Sequence, residues 1–151
     1  MDEKILVPLD GSKVGEAALP YVEDLVSKLS PEVKVEITLL QVVASTHDVV
    51  AGEASAKVPY TEKEMGQIKD MAVNYLNKAG ESLRGKGVVI NCKVAFGKAA
   101  DEIIKTADET NVDLIAMSTH GRSGLSRLAF GSVTEKVLHG RNVPVLTVRG
   151  A

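Results

Sequence analysis

Residues 118–132 read STHGRSGLSRLAFGS, with three glycines, five hydroxyl side chains, one histidine and two arginines. No carboxylate occurs between Asp113 and Glu135. That composition suits an anion. Glycine lets a ligand approach the backbone N–H groups closely, and a helix that starts just after such a stretch adds unpaired amides and a positive dipole end. Ser132 follows Gly131 directly, so its hydroxyl and the amides of Val133 and Thr134 are candidates to hold phosphate oxygens. Ser132 and Glu135 also have the spacing of a capping box, so capping the helix is an equal account of Ser132. Asp10, in the run DGS, is a candidate acceptor for ribose hydroxyls and equally a turn residue before glycine. Arg122 and Arg127 are ordinary solvated charges on their own. His120, His47 and His139 share no metal-ligand spacing with one another or with a cysteine.

Three other chemistries fail on position. GESLRGKG (80–87) approaches a phosphate-loop pattern, but it ends in Gly87 and lies between a helix and a strand, the reverse of the required order. GRSG lacks the spacing of a nucleophile elbow. A phosphoacceptor receiver domain needs an aspartate at the end of its third strand, where this chain has Ala95-Phe96-Gly97.

The elements that must position these groups alternate along the chain. KILVPL (4–9) is a short β-branched run closed by Asp10-Gly11, and SKVGEAALPYVEDLVSKL carries apolar residues, Tyr21 among them, at helical spacing with Ser12 as its cap. KVEITLLQVV (34–43) is a second strand. Residues 44–60 are polar without clear period and are expected to form a loop, with a short helix as the alternative. Thr61 and Glu64 open a second helix as a capping box. Its inward face is expected to include Met65, Ile68, Met71, Ala72, Tyr75 and Leu76, and it is expected to end in the glycines of RGKG. VVINCKVAF, DLIAM and PVLTV are strands three to five, separated by the helices of KAADEIIKTADET and VTEKVLHG.

Strict alternation implies an α/β fold, a doubly wound five-stranded parallel sheet with four flanking helices. Ligands of such sheets bind beyond the carboxyl ends of the strands where the winding reverses, here between strands one and four. Asp10 and the 118–132 stretch both fall there.

The bulk numbers bound the remaining possibilities. A chain of 151 residues is expected to form one domain, 1–151. A net charge of −2 and 3% aromatic residues give no basic face or stacking platform, so no nucleic-acid partner is expected. The acidic N-terminus lacks a secretory layout and no apolar run approaches a membrane span, so the expected setting is the cytoplasm. The single cysteine, Cys92, reads as a small core hydrophobe.

The 118–132 stretch resembles the signature of the universal stress protein family, G-x-x-G-x9-G-[ST], with Ser118, Gly121, Gly131 and Ser132 at its fixed positions. ILVPLDGS at the start and VPVLTV at the end extend the resemblance over the whole chain. It implies strand order 3-2-1-4-5 and an adenine-nucleotide pocket lined by Pro8, Leu9 and Asp10. Val42 would lie beneath the base, Met117 and Ser118 would flank the nucleotide, Gly121 and Gly131 would pass the phosphates, and Ser132, Val133 and Thr134 would bind them. The implied ligand is ATP with Mg²⁺ or Mn²⁺, and the implied role is a stress-response regulator with at most slow hydrolysis. Alternatives are AMP or another adenine nucleotide, or a nucleotide-free dimeric interaction module. Ser118 replaces the signature's first glycine. Its Cβ and hydroxyl are either tolerated or weaken ATP binding toward a shorter nucleotide. The apolar last strand, Pro144–Val148, is an edge that pairing with a second copy would cover, so a homodimer is expected.

Overall fold

The structure is a computed structural model that describes residues 2–85, 87–119, 131–140 and 142–150. Its elements are β1 (Asp2–Leu9), α1 (Leu19–Ser27), β2 (Lys34–Val43), β3 (Thr46–Ala51), β4 (Ala54–Pro59), α2 (Glu62–Ala79), β5 (Val88–Phe96), α3 (Ala99–Thr110), β6 (Leu114–Ser118), α4 (Ser132–Gly140) and β7 (Val145–Val148). Five strands pair in parallel in the order β5-β2-β1-β6-β7. With the sheet strands numbered along the chain this is 3-2-1-4-5, as the resemblance implied. No helix among the described residues is long and apolar enough to cross a membrane.

Side-chain alternation along each strand builds two cores. Ile5, Val7 and Leu9 of β1 join Ile37 and Leu39 of β2, Val22 and Val26 of α1, and Leu76 of α2 in one cluster. Leu6 and Leu40 point the other way and join Ile103, Ala107, Ile115, Met117 and Val137 beneath α3 and α4. β1 is central and buried from both sides, which is why it reads as a continuous apolar run rather than an alternating one.

The helix ends follow from local chemistry. Thr61 accepts the Glu64 amide at 3.1 Å and Glu64 accepts the Thr61 amide at 3.1 Å, a complete capping box. Those hydrogen bonds hold the Glu64 carboxyl below its ordinary value. The first helical segment begins as a 3-10 turn, Val14–Ala18, and becomes α-helical at Leu19, with Pro20 at a first-turn position where its missing N–H costs nothing. Ser12 does act at this start, because its Oγ accepts the Gly15 amide at 3.0 Å.

Three expectations are corrected. Residues 44–60 are not a loop: they contain an antiparallel hairpin, β3–β4, in which Thr46 pairs Pro59 and Ala51 pairs Ala54. Tyr21 and Met71 were placed on inward faces, yet they are 58% and 73% exposed. Each lies on the margin of its helix's apolar stripe, where periodicity cannot separate rim from core. Finally, α2 ends at Ala79 rather than in RGKG, because Gly80 caps it and a 3-10 turn, Glu81–Leu83, follows. A Cβ at Gly80 would come within 2.7 Å of Leu39 Cδ1.

Candidate nucleotide-binding site

The crevice lies where β2, β1 and β6 end together. Leu9 pairs with Gln41, and Leu6 pairs with Ile115. Continued by one and four residues, those registers bring Val42, Asp10 and Thr119 into one row. Strands lie about 4.8 Å apart, so the row from Val42 to Thr119 spans about 10 Å, near the length of a nucleoside.

On the α3–α4 side of this row, Val42, Met117 and Val133 belong to one cluster, with Met117 only 5% exposed. Pro8 alternates onto the same face, two residues beyond Leu6. Leu9 does not: its side chain is buried in the opposite cluster with α1. Only its backbone faces the crevice.

Asp10 is built into the turn that follows β1. Its Oδ1 accepts the Ser12 amide at 3.0 Å and the Ser12 hydroxyl at 2.5 Å. Ser12 in turn accepts from Gly15, so a relay of hydrogen bonds ties the carboxylate to the 3-10 turn. Turn duty and acceptance from a ribose are compatible, since an ionised carboxylate offers about four lone-pair sites.

Gly131 sits at the start of α4. Its carbonyl accepts the Glu135 amide at 3.0 Å, which makes it the cap, and its own amide donates to the Thr119 carbonyl at 3.2 Å. Ser132 is therefore the first helical residue. The amides of Ser132, Val133 and Thr134 are among those that no helical carbonyl can satisfy. Thr134 is 2% exposed and its hydroxyl donates to the Ser118 carbonyl at 3.4 Å. Gly121, His120, Arg122 and Arg127 lie outside the described residues.

Ser118 turns away from this face. Its hydroxyl donates to the Val14 carbonyl at 3.2 Å on the α1 side of the sheet. There it packs beside Gly150, where a Cβ would lie 2.6 Å from Val14 Cγ1. The side chain that departs from the glycine signature thus occupies space behind the crevice. Replacing it tests the point: Ser118→Gly is expected to leave ATP affinity within about twofold. Stability should fall by about 1 kcal/mol through the lost hydrogen bond and the added backbone freedom. A tenfold gain in ATP affinity by calorimetry would show instead that the serine obstructs the nucleotide.

Sequence reasoning missed the support behind Asp10. Tyr75 of α2 donates its hydroxyl to Glu16 Oε2 at 3.1 Å, and Glu16 lies 3.7 Å from Lys13 Nζ. Burial, followed by the carboxylates of Glu16 and Asp10, pushes the Tyr75 phenol well above its ordinary range. Tyr75 fell on an apolar helical stripe, and nothing in its spacing signals a partner 59 residues away. Cys92 is half-buried, with its thiol donating toward Asn77 Oδ1 at 3.6 Å, and burial raises its pKa. Both features fit a packing residue.

Among the described residues no group of three or more His, Cys, Asp or Glu side chains is arranged to hold a metal ion.

The chain is similar to known proteins of one family. The sequence model of the universal stress protein family matches residues 1–149. Universal stress protein MJ0577 of Methanocaldococcus jannaschii is 30% identical over 159 aligned positions, covering 99% of this chain and 96% of that protein. The MJ0577 structure superposes with a TM-score of 0.76 at 27% identity, covering 99% of this chain and 96% of that one. Two more distant proteins share the fold. A universal stress protein in complex with cAMP has a TM-score of 0.60 at 18% identity, covering 99% of this chain and 98% of its own. A family protein from Arabidopsis thaliana with AMP bound has a TM-score of 0.65 at 16% identity, covering 99% and 92%.

Proposed function

This chain belongs to the universal stress protein family, and from that premise we propose that it binds ATP in the crevice beyond β1 and β6 and acts as a nucleotide-dependent regulator of a stress response. The observation that carries the proposal is the start of α4. Gly131 is held against the end of β6, so the first helical amides open at the end of the row formed by Val42, Asp10 and Thr119. An anion held by those amides would lie about 10 Å, one nucleoside length, from Val42 at the other end of the row, with Met117 on the same apolar face. Asp10 receives the ribose hydroxyls, and Ser132, Val133 and Thr134 receive the phosphates, with Gly121 as a further candidate. The cAMP and AMP complexes of fold relatives support an adenine nucleotide as the ligand class.

No described carboxylate cluster forms a cage for a divalent cation. A Mg²⁺ or Mn²⁺ ion would enter with the triphosphate, which supplies most of its ligands. The proposal assigns no catalytic residue. Mass spectrometry of nucleotide released from freshly purified protein tests it. ATP in near-stoichiometric amount is the expected result, AMP alone would move the assignment to the shorter nucleotide, and an empty protein that also fails to take up added ATP would overturn it.

A specific observation favours a role in self-association as well. β7 pairs only with β6 among the described strands and has an open outer edge. Pairing of that edge, Pro144–Val148, with the same strand of a second copy makes the functional unit a homodimer.

A further inference from the structure

The turn that carries Asp10 is held by more than its own strand. Gly11 has φ 88°, a left-handed conformation that suits glycine, so the residue after the carboxylate is the most permissive point of the turn. A single carboxylate selects a ligand's hydroxyls only when its direction is fixed. Ser12 supplies part of that restraint through its amide and hydroxyl on Asp10 Oδ1. Gly15 supplies more. It is buried, and a Cβ there would overlap Asp10 Oδ1, so the carboxylate rests directly on the backbone of the 3-10 turn Val14–Ala18. Where that turn goes, the carboxylate follows.

The 3-10 turn is in its own right fastened from across the sheet. It packs over β1, β6 and β7, whereas α2 packs over β2 and β5. Tyr75 of α2 bridges the two. Its ring sits against the core beneath α1, and its hydroxyl reaches across to donate to Glu16 Oε2 at 3.1 Å. The Gly11 backbone meets the same hydroxyl. One oxygen thus joins α2 to the residue after Asp10 and to the residue after Gly15. The other partner of Glu16 offers less. The Glu16 side chain is 17% exposed, but Lys13, 3.7 Å away, is 93% exposed, and an ion pair that open is screened and holds little in place. The bond from the half-buried tyrosine is shorter, charge-assisted and directional. Burial and the surrounding carboxylates push the phenol well above its ordinary range, so the hydroxyl remains a donor at neutral pH.

We infer that Tyr75, acting through Glu16 and Gly11, is a positioning residue of the nucleotide site, its hydroxyl holding the Asp10 turn in the geometry that receives the ribose hydroxyls. The inference rests on the nucleotide reading above. Tyr75 lies on the α1 side of the sheet with Leu9, behind the crevice, so its effect on a ligand passes through the Asp10 turn. A hydroxyl that served packing alone would alter stability and treat every nucleotide alike.

Calorimetry with ATP and with a dideoxy analogue that lacks both ribose hydroxyls separates these roles. Tyr75→Phe removes the hydroxyl and keeps the ring. It is expected to weaken ATP about tenfold and the analogue less than twofold, because the analogue has nothing for Asp10 to receive. Glu16→Ala should give the same split from the other end of the bond, and it decides the question if Tyr75→Phe fails to fold. The double variant should be no worse than either single one, as expected of residues that act through one contact. Equal losses for the two ligands, or no loss for either, overturn the inference. A wild-type chain that binds ATP and the analogue alike also overturns it while leaving the pocket standing. A wild-type chain that binds neither removes the nucleotide reading along with it.

Discussion

Gly131→Val is expected to lower ATP affinity at least 100-fold while leaving the fold in place. A Cβ on residue 131 would lie 2.9 Å from the Thr119 carbonyl oxygen, inside any real carbon–oxygen contact. That carbonyl has little room to retreat. It already accepts the Gly131 amide at 3.2 Å, and the Thr119 amide is anchored to the Val148 carbonyl at 2.9 Å. The start of α4 must therefore yield, carrying the amides of Ser132 and Val133 away from the proposed phosphate site. Hydrogen bonds to charged groups contribute about 1.5–3 kcal/mol each, and a 100-fold loss is about 2.7 kcal/mol, so displacing one or two is enough. The second core beneath α4 is held by Val137 and Met117, so the fold is expected to survive the shift, at the cost of the Thr134 contact with the Ser118 carbonyl. Far-UV circular dichroism should be unchanged and the melting temperature should fall by a few degrees. Gly131→Ala should fall between valine and wild type. An unaltered calorimetric ATP affinity in the valine variant would remove the start of α4 from the site.

Thr147→Pro should raise the dissociation constant of the proposed β7-edge dimer at least tenfold without weakening the sheet. The Ile115 amide donates to the Pro144 carbonyl at 3.0 Å and the Thr119 amide donates to the Val148 carbonyl at 2.9 Å. Even-numbered residues of β7 thus turn their backbone groups toward β6, and by alternation Val145 and Thr147 turn theirs outward. Proline at 147 deletes an outward donor and spares the inner ladder, the arrangement in which edge strands tolerate it. Since β7 has only four residues, one missing donor is a large share of the hydrogen bonds an added strand could make. Leu146→Pro is the contrasting variant: it removes an inner bond and should destabilise the monomer itself. A wild-type chain that sediments as a monomer throughout, or a Thr147→Pro chain that dimerises unchanged, would rule out pairing at this edge.

Much of the architecture was legible because the local signals agreed with one another. The β-branched runs at β1, β2 and β5, the capping box at Thr61 and Glu64, and the breaks at Asp10-Gly11 and Gly97 all act within a few residues. Local chemistry therefore decides them. The hairpin at 46–59 was not legible for a related reason. Its alternation is apolar on one side through alanines, which carry little strand preference, and its turn residues, Gly52 and Glu53, are not a strong hairpin pair. Tyr21 and Met71 were misplaced because a helical stripe tells which side faces the core but not where the core stops.

The candidate site divides in the same way. Residue types and order determined that a carboxylate-free, glycine-bearing segment joins a strand to a helix, and that Asp10 ends the first strand. They also determined the parallel winding that makes both ends meet. Only the tertiary structure decided which way each side chain points. Strand register turned Leu9 and Ser118 to the α1 side and left Val42, Met117 and Val133 together on the other. Packing against the end of β6 made Gly131 the cap and freed Ser132 from that task. Ser118 had looked like the weak point of the signature because its identity is visible in one dimension while its direction is not. A side chain's orientation depends on pairing with strands over 100 residues away, and no local pattern encodes such a contact.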